Sequence, residues 1–156
     1  MNQPYHPPRL RVALVREREA PAFPTKILRS SADVIEAFAF LRERDREEFW
    51  VAALDGKNRI IATHQASVGT LTASLVHPRE ILKFLILASA AACLLVHNHP
   101  SGDPTPSAED QAITARLVDV TSLLGVRVLD HIVIGADRAH SFCDTGLLPA
   151  PSLVSC

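Results

Sequence analysis

The apolar run Cys93-Leu94-Leu95-Val96 passes directly into His97-Asn98-His99-Pro100, and this junction restricts the fold more than any other stretch. Four apolar residues followed by a turn rich in proline and glycine (Pro100, Gly102, Pro104, Pro106) read as a short buried strand that ends in a loop. Ser107 then opens a helix, with Ile113, Leu117, Val120 and Leu124 spaced along one face and Gly125 to stop it. Val126 to Ile134 is the last clear strand. Strand, helix and strand in this order predict a layered α/β domain.

Upstream, Ser30 or Ser31 can cap a helix whose apolar face is Val34, Ile35, Phe38 and Leu41, with Glu36, Arg42 and Glu43 outside. Phe49 to Leu54 is a continuous apolar run ended by Asp55-Gly56, and Arg59 to Ala62 resumes it towards Val68, so the two read as a hairpin. A hairpin makes the sheet mixed rather than fully parallel. Pro78 suits the first turn of a helix, where its missing N–H is harmless. Ile81, Leu82, Leu85 and Ala88, widened by Phe84, Ile86 and Leu87, predict that this helix is largely buried. Residues 1–30 carry five of the eleven prolines and cannot be continuous helix, although Leu10 to Val15 can form one short strand. The expected division is a proline-rich segment over 1–30, one domain over 31–148 and a flexible tail over 149–156.

Composition narrows the partners. The chain has 156 residues, 47% of them hydrophobic and 21% charged, and a formal net charge of −1. That balance argues against a broad nucleic-acid footprint; Arg9, Arg11, Arg16 and Arg18, set against Glu17 and Glu19, leave room for weak contact only. Cys93, Cys143 and Cys156 are odd in number and far apart, which suggests neither a disulfide framework nor a cysteine metal site. The longest apolar stretch, Phe84 to Val96, is too short to span a bilayer. The first twelve residues lack the apolar core of a signal peptide, so the expected location is the cytoplasm, with no membrane partner.

The chemistry concentrates where the first buried strand gives out. His97 and His99, two residues apart, point to one side of an extended backbone. A carboxylate returning from the following loop completes two imidazoles plus one acid, with a fourth position for water, which is the coordination that catalytic Zn²⁺ prefers. Asp110 and Asp103 both qualify, and the spacing His-x-His-(x7)-Ser-x-x-Asp favours Asp110. Ser107 and Asp110 also fit a capping box, in which the serine accepts from the third N–H and the acid bonds back. Asn98 should point away from the two histidines, and Asp130-His131, a polar pair inside a strand, reads as structural support for the site.

This spacing resembles the JAMM motif of the JAB/MPN metallopeptidase domain, and three blocks narrow the likeness to its RadC-like branch: Gly69 to Ile81, Leu94 to Asp110, and Leu129 to Gly135. The resemblance runs from about Ser31 to about Leu148 and implies a three-layer α–β–α sandwich around the mixed sheet. It implies a zinc-dependent hydrolase that cleaves a peptide or isopeptide amide through a metal-activated water, with His97, His99 and Asp110 as ligands. By the same likeness Ser107 assists the developing oxyanion. A glutamate just before the apolar strand is the general base, and here that is Glu48, with Glu47 on the opposite side of the strand. Thr72 stands where the branch commonly has asparagine. Longer RadC-like proteins carry a helix-hairpin-helix region that residues 1–30 are too few and too proline-rich to form. The alternative reading, a DNA-repair or mobile-element factor whose metal is structural or cleaves phosphodiester, is weakened accordingly.

Overall fold

The computed structural model describes residues 17, 21–24, 27–69 and 76–152. The strand β1 (Glu48–Leu54), with all seven residues buried, pairs antiparallel with β2 (Ile60–Val68) on one side. On the other side β1 pairs antiparallel with β3 (Ala92–Asn98), equally buried. A parallel β4 (Arg127–Ile134) and a short antiparallel β5 (Ala139–Ser141) complete a mixed sheet in the order β2-β1-β3-β4-β5.

Strand alternation splits the core in two. Trp50, Ala52 and Leu54 of β1, with Leu94 and Val96 of β3, meet Val34, Ala37, Phe38 and Leu41. These last come from α1 (Ser31–Ala37), the 3₁₀ turn Ala39–Glu43 that follows it, and Phe38 between the two. Phe49, Val51 and Ala53, with Cys93 and Leu95, meet Ile81 and Leu85 of α2 (Pro78–Leu87) and Leu117 of α3 (Ala108–Ser122). The result is the three-layer α–β–α sandwich. The Ser30 hydroxyl and the Asp33 carboxylate cap α1 reciprocally, and Pro78 opens α2 as expected.

Several expectations need correction. α2 is buried on one side only, through Ile81 and Leu85, while Ile86 is 57% exposed. The buried face of α3 is Asp110, Thr114, Leu117, Val118 and Thr121, and Leu124 lies beyond the helix end and is exposed. Val126–Ile134 is not the last strand, since β5 follows a tight turn. Phe23 and Leu28 pack into the core of α1 and the sheet, so the end of the proline-rich segment belongs to the domain. The Ser152 N–H and hydroxyl both donate to Asp119 of α3, which pins that part of the tail. The expected strand at Leu10–Val15, the arginines from Arg9 to Arg18, and Thr72 lie outside the described residues.

The crossover from β3 through α3 to β4 decides where chemistry can occur. β3 delivers His97 at its carboxyl end, and the loop beyond it turns back so that the first turn of α3 stands over that end. The loop is seated on β4, where the His99 N–H donates to the Ile134 carbonyl (2.9 Å) and the Ala136 N–H to the Gly102 carbonyl (3.0 Å). Gly135 permits this close approach. A Cβ there would collide with the Gly102 carbonyl oxygen and sit 2.8 Å from Pro104.

Candidate metal centre

His97 and His99 leave β3 on the same face, as two residues of one extended strand must. Asp110 reaches them from the first turn of α3. His97 Nε2 lies 3.1 Å from Asp110 Oδ1, His99 Nε2 lies 3.3 Å from Asp110 Oδ2, and the two Nε2 atoms are 3.0 Å apart. His97 is fully buried, and its ring stacks on Phe49 at 5.8 Å. Asp110 is buried as well, and His99 is the partly exposed member of the three.

The ring nitrogens facing away from this cluster are already engaged. His99 Nδ1 is 2.8 Å from the Asp103 carbonyl oxygen, which can only accept, so the proton of the neutral His99 ring sits on Nδ1 and its Nε2 presents a lone pair. His97 Nδ1 is held at 2.8 Å by His131 Nε2. Two imidazole nitrogens and a carboxylate thus converge on one point, an arrangement that a shared proton or a metal cation can hold together. His97, His99 and Asp110 are together a group that can hold a metal ion.

Burial works to raise the Asp110 carboxyl, but hydrogen bonding to His97 and His99, joined by the Ser107 N–H, holds it far below the usual carboxylate range. The Asp110 carboxylate in turn raises His99 above its ordinary value; burial opposes this, while the Asp103 carbonyl and the charge of Glu47 add to it.

Ser107 and Asp110 show that capping the helix and facing the histidines are not alternatives for one carboxylate. The Ser107 hydroxyl accepts from the Asp110 N–H (3.0 Å) and donates to Asp110 Oδ2 (2.7 Å), and the Ser107 N–H donates to the same oxygen (2.7 Å). The capping box aims Asp110 at the histidines. Asp103, the rival carboxylate, accepts instead from the Thr105 N–H and hydroxyl within its own turn.

The structure does not bring Glu48 to the cluster. Its carboxylate accepts from Trp50 Nε1 (2.9 Å) and Gln65 Nε2 (2.7 Å), with Arg44 at 3.4 Å, on the sheet face that packs against α1. Phe49 is the residue opposite His97 in the β1–β3 register, so the face of β1 that meets the histidines carries the odd-numbered side chains. Glu47 is the residue just before β1, and its charge acts on His99. Asn98 points the other way, as expected: its amide accepts from the Glu48 N–H and donates to the Arg46 carbonyl, tying β3 to the start of β1.

Asp130 and His131 separate by the same alternation. Asp130 accepts from the His131 and Cys143 N–H groups and from the Ser141 hydroxyl, organising the turn after β5. His131 is fully buried between Phe49 and Phe142, and burial, with His97 adding to it, holds it well below its ordinary value. Thr114, at 2.6 Å from His131 Nδ1, was not visible from spacing alone.

A three-layer α/β sandwich with two histidines and an acid at the end of a central strand defines a JAB-type domain. The family described as the RadC-like JAB domain matches residues 28–147, and the chain belongs to it. A UPF0758 protein of Pelobacter propionicus is 52% identical over 120 residues, covering 76% of this chain and 52% of its own length. One from Geobacter sulfurreducens is 53% identical over 111 residues, covering 71% of this chain and 48% of its own. One from Desulforamulus reducens is 44% identical over 143 residues, covering 89% and 63%. The chain therefore spans about half to two-thirds of these relatives. No helix among the described residues is long and apolar enough to cross a membrane.

Proposed function

We propose that this chain is a zinc-dependent hydrolase of peptide or isopeptide amides, working in the cytoplasm. The observation that carries the reading is the convergence of His97 Nε2, His99 Nε2 and the Asp110 carboxylate within 3.3 Å. Three protein ligands, of which His99 is partly exposed, match catalytic rather than structural zinc, which takes four. Zn²⁺ held there would supply Lewis acidity, making water acidic enough to lose a proton near neutral pH.

The remaining steps belong to the chain. Glu47, the residue before β1, whose charge acts on His99, accepts the proton of the attacking water and returns it to the leaving amine nitrogen. Ser107 has two duties. At rest its hydroxyl donates to Asp110 and holds that carboxylate in place. As the carbonyl oxygen gains charge, the hydroxyl turns to donate to it, supported by the N-terminal end of α3. The buried wall of Phe49 and His97 keeps water out from behind the ligands.

The test is turnover on a panel of unstructured peptides, lysine-linked isopeptides, and single- and double-stranded DNA. Hydrolysis of an amide substrate, abolished by chelation and restored by Zn²⁺, is the expected result. Zinc-dependent cleavage of DNA with every amide left intact would overturn the reading in favour of a nuclease.

A further inference from the structure

We propose that Thr114 and His131 form a positioning relay that fixes which nitrogen of His97 is left free for a metal. The inference rests on the metal-site reading above and concerns two residues without contact to a metal in that reading. Four groups lie in line. The Thr114 hydroxyl is 2.5 Å from the Asp110 carbonyl oxygen and 2.6 Å from His131 Nδ1, and His131 Nε2 is 2.8 Å from His97 Nδ1.

Donor and acceptor rules leave one consistent assignment. A carbonyl oxygen only accepts, so the single Thr114 proton goes to the Asp110 carbonyl. The Thr114 oxygen must then accept, which makes His131 Nδ1 the donor. His131 is fully buried, and a neutral imidazole carries a single ring proton, which this assignment puts on Nδ1. Its Nε2 therefore carries a lone pair and accepts from His97 Nδ1–H. The free lone pair of His97 is consequently on Nε2, the atom that faces His99 and Asp110.

The chain of bonds begins at the backbone of one ligand residue and ends on the ring of another. It closes α3 onto β3 through β4, so that the helix turn presenting Asp110 and the strand presenting His97 are registered by one set of protons. Reversing either histidine bond moves the His97 proton onto Nε2 and blocks the position a metal needs. Phe49 and Phe142 flank the His131 ring and hold it in the plane that this geometry requires.

Thr114→Val keeps the shape of the side chain and deletes only the hydroxyl. Zinc affinity of the full-length protein, measured by competition with a chromogenic chelator, should fall by about 10–100-fold, the usual effect of losing an outer partner of a ligating histidine. Thr114→Ser, which retains the hydroxyl, should restore wild-type affinity. A long-range ¹H–¹⁵N correlation spectrum of the wild type should show His131 protonated at Nδ1 with or without zinc. Unchanged zinc affinity in Thr114→Val, even with lowered stability, would make Thr114 merely structural and overturn the relay while leaving the metal reading intact. His131 protonated at Nε2 in the wild type would do the same without any variant. A wild type that takes up no zinc would refute the metal reading, and the relay with it.

Discussion

Glu48→Ala and Glu47→Gln should fail in opposite ways, because Glu48 is bound to Trp50 on the α1 face of the sheet whereas the charge of Glu47 acts on His99. Glu48 is buried and supplies the acceptor for the Trp50 indole N–H, itself buried at 7% exposure. Removing it leaves that N–H without a partner in an apolar layer, at a cost of about 1–3 kcal/mol. Gln65 is exposed and recovers its bond from water, and the half-exposed Arg44 pair adds little. At about 2 kcal/mol the loss corresponds to a fall in Tm of about 4–8 °C for a chain of this size. Glu48→Gln keeps an oxygen for the indole and should lose less than about 1 kcal/mol. The protein has one tryptophan, so urea unfolding followed by Trp50 emission reads the affected layer directly. Zinc content should be unchanged in both Glu48 variants. Glu47→Gln should keep wild-type stability and zinc but lose amide hydrolysis by at least about 100-fold, the scale of a general base. The reasoning fails if Glu48→Ala leaves Tm untouched, or if it abolishes hydrolysis with fold and zinc intact while Glu47→Gln stays active.

Gly135→Ala should push the loop carrying His99 off β4 and cost about 1–3 kcal/mol, as overpacking does, with weakened zinc retention; equal stability and zinc content would show that the loop is not seated as described. In the native protein a thiol reagent at pH 8 should label exposed Cys143 and spare Cys93, whose thiol burial pushes up to about 12, and peptide mapping of native against urea-treated samples checks this. Duplex DNA should bind weakly and lose affinity steeply with salt, and replacing Arg9, Arg11, Arg16 and Arg18 together by alanine should remove what binding there is. Substitution is preferable to truncation near Ser30, which would strip Phe23 and Leu28 from the core.

The parts of the fold and site that were legible in the sequence are those set by local periodicity. His97 and His99 share a face because a strand alternates, and Ser107 with Asp110 marks a helix start because capping is local. Glu48 shows where local rules stop. Alternation places Glu47 and Glu48 on opposite sides, but a strand apolar on both faces, as Phe49 to Leu54 is, does not say which side meets the histidines. That is decided by the pairing of Phe49 with His97 across β1 and β3, a contact between residues nearly fifty positions apart. One signal was available: Trp50 stands two residues from Glu48 on the same face and needs a buried acceptor. The face of α3 was misplaced because apolar spacing ignores threonine, whereas Thr114 and Thr121 are buried. β5 was missed because three residues are too short to show a period.

Zinc stoichiometry tests the central claim most directly. The purified full-length protein, stripped with chelator and re-equilibrated with Zn²⁺, should hold about one ion per chain by elemental analysis, as a single three-ligand site requires. The double variant His97→Ala with His99→Ala should hold none while keeping its secondary structure by circular dichroism. Zinc retained at wild-type stoichiometry in that variant would contradict the account.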